Sequence, residues 1–164
     1  FEDATLATDW TYIKPLWTEP AGGNLIGRPT GRKAIAVAMP VCAGCTNCSV
    51  EATMATAGGT GNRLWLLGWY GDKRNTMELM MKQETGKWIL KERIHGSIVA
   101  KAKGSATIVV NQFYDVVIAF SGTTFTVTVD GTLLITLPAH GAHFGTTGFQ
   151  AKGTTGSFGL INVN

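Results

Sequence analysis

Cleavage of a glycosidic bond needs a proton-donating carboxyl and a second carboxylate at fixed separation, about 5–5.5 Å when configuration is retained. Residues two apart on a strand face the same side, so acids at i and i+2 are one way for a single strand to supply such a pair. No such spacing occurs. Glu51, Asp72, Glu78, Glu84, Glu92, Asp115 and Asp130 stand singly, and Glu78 has no acidic partner two or four residues away. Nucleophilic catalysis needs Ser or Cys beside a positioned base. No Gly-x-Ser-x-Gly elbow is present. Gly104-Ser105 and Gly156-Ser157 sit in Thr- and Gly-rich turn contexts with no helix to follow. A phosphate loop must open a helix, whereas Gly58-Gly59-Thr60-Gly61 leads into the strand-like run Arg63–Tyr70. The sequence predicts no catalytic residues and no enzyme.

Cys42, Cys45 and Cys48 follow a C-x-x-C-x-x-C spacing. Haem attachment needs His directly after the second Cys, and Thr46 and Ser49 occupy the relevant positions. Zinc needs four ligands, while His95, His140 and His143 are remote from the cysteines. A local disulfide in a secreted chain is the expected use. Cys45–Cys48 is the favoured pair, with Cys42 as an alternative partner to either. His140-Gly-Ala-His143 lacks a third ligand and reads as a surface loop.

Tryptophans at 10, 17, 65, 69 and 88 mostly belong to a core, because Trp is highly buried on average. Sugar binding would need one or two of them exposed beside polar groups. Trp69, Tyr70, Asp72, Arg74, Asn75, Glu78, Lys82 and Trp88 form the candidate ligand patch. In the alternative, Trp69 and Trp88 pack across strands as an aromatic pair.

The elements that must position these residues are strands. The chain has 164 residues, 45% of them hydrophobic and 15% charged, with 21 glycines. That composition excludes disorder and suits many short strands joined by tight turns. Net charge is +3, without a basic run, and a nucleic-acid footprint needs one. No apolar stretch approaches the ~18 residues of a membrane span. In Thr124–Val129, Phe125, Val127 and Val129 alternate with threonines. Asp130-Gly131 then suits a type I′ hairpin turn, so Phe113–Leu137 reads as a three-stranded meander. Met77, Leu79 and Met81 share one side of a second meander, and Glu78, Met80 and Lys82 share the other. A helix over Asn75–Met81 is the competing reading. Arg63–Tyr70 is apolar on both faces and predicts a central strand. With no linker or repeat, residues 1–164 read as a single β-sandwich domain.

The order of features resembles the concanavalin A-like lectin/glucanase superfamily, nearest to bacterial laminin-G-like modules. Trp10 and Trp17 precede Leu25. Arg63–Trp69 and Asn75–Lys82 look like the central strand pair, and Tyr114–Phe120 with Phe125–Val129 and Asp130-Gly131 looks like the typical hairpin. Gly145–Phe149 and Phe158–Val163 look like the last two strands. The resemblance implies an all-β, two-sheet antiparallel jelly roll whose closing strand, Phe158–Val163, pairs with Phe1–Leu6 or Asp9–Lys14. It also implies a calcium ion shared between the two ends of the chain. Glu2, Asp3 and Asn162 are the weak candidates, because Gly159 stands where relatives carry an Asp and each lost carboxylate weakens such a site; otherwise no cofactor is expected. The implied role is a non-catalytic module, carbohydrate-binding or adhesive, on a larger secreted bacterial protein, at the extracellular surface. Its partner would be a polysaccharide or glycan, not nucleic acid and not a membrane. A structural or assembly domain without a small ligand is the alternative, and glycoside hydrolysis a weaker one.

Overall fold

A computed structural model describes residues 10–14, 17–20, 23–29, 34–41, 47–140 and 145–164. The described residues form fourteen strands. These are β1 (Thr11–Lys14), β2 (Trp17–Thr18), β3 (Leu25–Gly27), β4 (Ala34–Val41), β5 (Asn47–Thr56), β6 (Arg63–Asp72) and β7 (Asn75–Lys82). There follow β8 (Lys87–Ile94), β9 (Ser97–Ser105), β10 (Tyr114–Ser121), β11 (Thr124–Val129), β12 (Thr132–Pro138), β13 (Gly145–Lys152) and β14 (Gly156–Val163). Among the described residues the sole helical element is a 3₁₀ turn, Gln83–Thr85. Two seven-stranded antiparallel sheets result. The front sheet has the order β1-β4-β13-β6-β7-β8-β9, and the back sheet β12-β11-β10-β5-β14-β3-β2. The chain is an all-β jelly-roll sandwich of the concanavalin A-like kind.

Alternation builds the core. Met77, Leu79 and Met81 of β7 meet Val116 and Ile118 of β10 between the sheets. Phe149 of β13 stacks on Phe158 of β14 with ring centroids 4.4 Å apart, and Trp88 of β8 meets Tyr114 of β10 edge-on at 5.8 Å. Aromatic pairs of this kind add about 0.5–1.5 kcal/mol beyond area burial. The β10-β11-β12 meander has the expected register. Asp130 and Gly131 both take positive φ at its turn, and Asp130 Oδ1 accepts the Asp115 N–H at 2.8 Å. Asn75–Met81 lies in a strand, and β6 is buried on both faces between β13 and β7.

The expected pairing of Asp9–Lys14 with the closing strand is not formed by the described residues. β1 pairs with β4 in the front sheet, while β14 lies in the back sheet between β5 and β3. Over Gly156–Phe158 both edges of β14 are occupied, Phe158 standing opposite Met54 on one side and Leu25 on the other. Strands β2 and β3 were not anticipated, since two or three residues are too few to show alternation. Phe1–Leu6 lies outside the described residues.

Candidate functional site

The outer face of the front sheet is a grid. Because Met77, Leu79 and Met81 point inward, Thr76, Glu78, Met80 and Lys82 point outward. Cross-strand register arranges the outward residues of β13, β6, β7, β8 and β9 in rows. One row runs Gln150–Trp65–Met80–Ile89–Lys103, and the next Gly148–Leu67–Glu78–Lys91–Lys101. A third runs Thr146–Tyr70–Thr76–Arg93–Ile98. Trp65, Leu67, Met80, Ile89 and Ile35 form a second buried apolar cluster on this face, with Tyr70 packed against it.

Beside that cluster lies a groove of about 330 Å³, lined by Ile13, Ile35, Leu67, Tyr70, Lys73, Thr76, Glu78, Arg93 and Gln150. Its size falls at the lower end of small-ligand sites, about 300–1,000 Å³. Two of its polar residues are nearly inaccessible: Gln150 is 4% exposed and Thr76 5%. Gln150 Nε2 and Thr76 Oγ1 have no hydrogen-bond partner among the described residues. Leaving a buried donor or acceptor unpaired costs about 1–3 kcal/mol, so the groove holds hydrogen-bonding capacity that the protein itself does not use. Glu78 lies 3.7 Å from Lys91 Nζ. Burial first, and the Asp72 carboxylate second, push the Tyr70 phenol above its ordinary pKa, which keeps it a neutral donor at physiological pH.

Local sequence explains the shape. The β6 register shifts between Leu67 and Trp69. Gly68 faces inward, where a Cβ would come within 3.2 Å of Met77 Cγ and 3.3 Å of Ile118 Cδ1. The Thr147 hydroxyl donates to the Leu67 carbonyl at this bulge, at 2.6 Å. Opposite Tyr70 the backbones approach so closely that a Cβ on Gly145 (φ 147°) would lie 2.5 Å from the Tyr70 carbonyl oxygen.

The rim is braced by two turns. The Asp72 carboxylate accepts the backbone N–H groups of Arg74 and Asn75 and the Asn75 side-chain amide. Those bonds, led by that from Arg74, hold its pKa below the ordinary carboxylate value. Asn75 Oδ1 accepts the His95 N–H at 2.9 Å, Arg74 Nη2 donates to the His95 carbonyl at 3.0 Å, and Arg93 Nη1 donates to the Gly96 carbonyl at 2.8 Å.

Of the predicted patch, Tyr70 and Glu78 line the groove. Asp72, Arg74 and Asn75 build its rim, and Lys82 stands on the same face beyond it. Trp69 and Trp88 do not belong to this face: they are 4% and 0% exposed and lie in the inter-sheet core. The bulge at Gly68 turns Trp69 inward, and the ordinary alternation of β8 does the same for Trp88. As strand β7 lies between β6 and β8, the two rings do not stand on neighbouring strands. Sequence reasoning missed Gln150, Thr76 and Arg93. Alternation from Met77 would have yielded Thr76, but nothing local marks Gln150, whose neighbours come from distant β6 and β4.

The other candidates lie elsewhere. Asn162 sits opposite Glu51 on the back sheet. Glu2, Asp3, Cys42, Cys45 and His143 fall outside the described residues. Cys48 is half-buried at the start of β5, packed against the core. No group of three or more potential metal ligands occurs among the described residues, and no described helix could cross a membrane. His140 does more than the loop reading allowed: its backbone N–H donates to Glu92 Oε2 at 2.8 Å.

The sequence matches no protein-family model and no curated protein. The fold is similar to solved structures. A carbohydrate-binding module of Bacillus subtilis (CBM66) superposes with a TM-score of 0.79 at 18% identity, covering 100% of this chain and 98% of that one. A galectin of Caenorhabditis elegans gives 0.61 at 10% identity, over 87% and 94% of the two chains. The transglycosylase Crh5 gives 0.66 at 14% identity, over 93% and 65%. At these identities the likeness establishes a sandwich fold that binding proteins and enzymes share.

Proposed function

We propose that the chain is a non-catalytic, extracellular carbohydrate-binding module, a single domain over residues 1–164, and that a sugar docks in the front-sheet groove. The laminin-G-like character, secretion and attachment to a larger bacterial protein belong to the same reading. The observation that carries it is the pairing of two buried, unpartnered polar groups, on Gln150 and Thr76, with the apolar walls Leu67 and Ile35. A sugar ring offers hydroxyls to the first and C–H faces to the second. Structural likeness to a carbohydrate-binding module and a galectin supports the reading.

Catalysis fits the groove poorly. Glu78 is its one carboxylate among the described lining residues, and it is ion-paired with Lys91. Glu92 points into the core, and Asp72 is held by its own turn. A proton donor with a second carboxylate across the bond is missing.

A glycan screen with the purified chain tests the proposal. A bound sugar whose affinity is lost in Tyr70→Ala is the expected result. Turnover of laminarin, xylan, alginate or agar, abolished by Glu78→Gln, would overturn the non-catalytic part. A second reading, adhesion or assembly without a small ligand, draws on the packed Trp65–Met80–Ile89 row that fills the middle of the face. An inert screen together with self-association would favour it.

A further inference from the structure

We infer that the polysaccharide taken on the front sheet is anionic; this deepens the carbohydrate-binding reading and rests on it. Three pairs of like charge stand directly opposite one another across neighbouring strands of this one face. Arg63 faces Lys152, Lys82 faces Lys87, and Lys91 faces Lys101. Opposed residues have Cβ atoms about 4.5–5.5 Å apart, and like charges there are destabilising. One such pair could be incidental. Glu78 offsets Lys91 at 3.7 Å, which leaves Arg63–Lys152 and Lys82–Lys87 as the two pairs whose electrostatic cost a bound anion would relieve.

The distribution is one-sided. The back-sheet strands β2, β3, β5, β10, β11, β12 and β14 contain no lysine or arginine at all. Their outward positions include Glu51, Asp115 and several hydroxyl side chains, among apolar ones such as Val117 and Leu133. On the front face the strands offer two outward carboxylates among the described residues: Glu78, which Lys91 engages at 3.7 Å, and Asp72 at the end of β6, which the N–H groups of its own turn engage. A net charge of only +3 therefore hides a strongly positive face, which steers and holds anions.

The spacing favours a polysaccharide. Lys152, Arg63, Lys82 and Lys87 stand in register on four adjacent strands, the step from Arg63 to Lys82 lying one position beyond the Leu64–Met81 pair. Neighbouring strands lie about 4.8 Å apart, close to the length of one pyranose unit. A chain laid across the strands thus meets one cation per sugar. Single-stranded nucleic acid would call for exposed stacking rings, whereas Trp65 in the adjacent row is 3% exposed.

The test titrates the full chain with polygalacturonate and with its methyl ester, which keeps the sugar and removes the charge. Dextran sulfate against dextran forms a second pair and separates sulfate from carboxylate recognition. Expected is an affinity for a charged member at least about tenfold above its neutral partner, falling by about tenfold or more between about 50 mM and about 200 mM salt. The double variant Lys82→Gln/Lys87→Gln should lose about tenfold in affinity while melting no lower than wild type, since a repulsive pair has been removed. Equal binding of charged and neutral members would overturn the inference and leave the carbohydrate reading standing. So would unchanged affinity in the double variant, or duplex DNA binding as tightly as the acid polysaccharide. Binding of no glycan, charged or neutral, would remove the reading beneath it.

Discussion

Glu92 and His140 tie the two sheets together at one edge of the sandwich. Glu92 extends from β8 into the core with 0% exposure. Its Oε2 accepts the His140 backbone N–H at 2.8 Å and lies 3.5 Å from the imidazole Nδ1, just past the end of β12. Met77 of β7 and Ala100 of β9 are its cross-strand neighbours.

That arrangement predicts a pH dependence. Burial raises the Glu92 pKa above its ordinary value, and the bonds from His140 oppose the rise without cancelling it. Between the ordinary and the raised pKa the folded protein binds more protons than the unfolded chain, so stability falls as pH rises through that window. The contribution is complete below the ordinary carboxylate pKa and lost above the raised one. In Glu92→Gln, which keeps an acceptor for the His140 N–H, this component should vanish. Melting temperatures measured from acid to neutral pH check it; a wild-type profile that Gln leaves unchanged would contradict the assignment.

Thr147 is the second structural test. Its hydroxyl serves the Leu67 carbonyl inside the β6 bulge. In Thr147→Val, a change of nearly equal volume, that carbonyl loses its side-chain donor at a cost of about 1–3 kcal/mol. Because the bulge follows Leu67, which lines the groove, sugar affinity should fall together with the urea midpoint.

Trp88 separates core from site. A Trp in a binding groove could be truncated with little loss of stability. Here the ring is enclosed against Tyr114, so Trp88→Ala should cost about 3–5 kcal/mol. An unchanged denaturation midpoint would return Trp88 to the outer face.

These examples show what was legible in the sequence. The Thr124–Val129 alternation with Asp130-Gly131 specified a hairpin, because side-chain period and turn chemistry are both local. Alternation around Met77 likewise put Glu78 on the outer face. Trp69 stayed open between patch and core because a single inserted residue reverses which side the following side chains face, and what packs against the bulge at Gly68, Ile118, comes from the opposite sheet. Gln150 was invisible for a related reason: a site residue supplied by β13 gains meaning only once β13 slots between β4 and β6.

The last prediction concerns Gln150 and Thr76, whose polar atoms are buried without partners in the groove. If those atoms were merely imperfect packing, replacing them with apolar groups would be neutral for binding. If they are reserved for a ligand, stability and affinity must move in opposite directions, since active surfaces carry unsatisfied groups at the expense of the fold. Gln150→Leu and Thr76→Val remove the unpaired atoms with modest changes of volume. Each should melt at or above the wild-type temperature, because replacing a buried unsatisfied polar group by an apolar one recovers part of a penalty of about 1–3 kcal/mol. Each should also weaken sugar binding by about tenfold, the equivalent of roughly one hydrogen bond of about 1.4 kcal/mol. Calorimetric titration and thermal melts on the same preparations read both quantities. Retained affinity alongside raised stability would show that the groove's polar floor is not what the ligand touches, and would move the binding site to the cationic rows beside it.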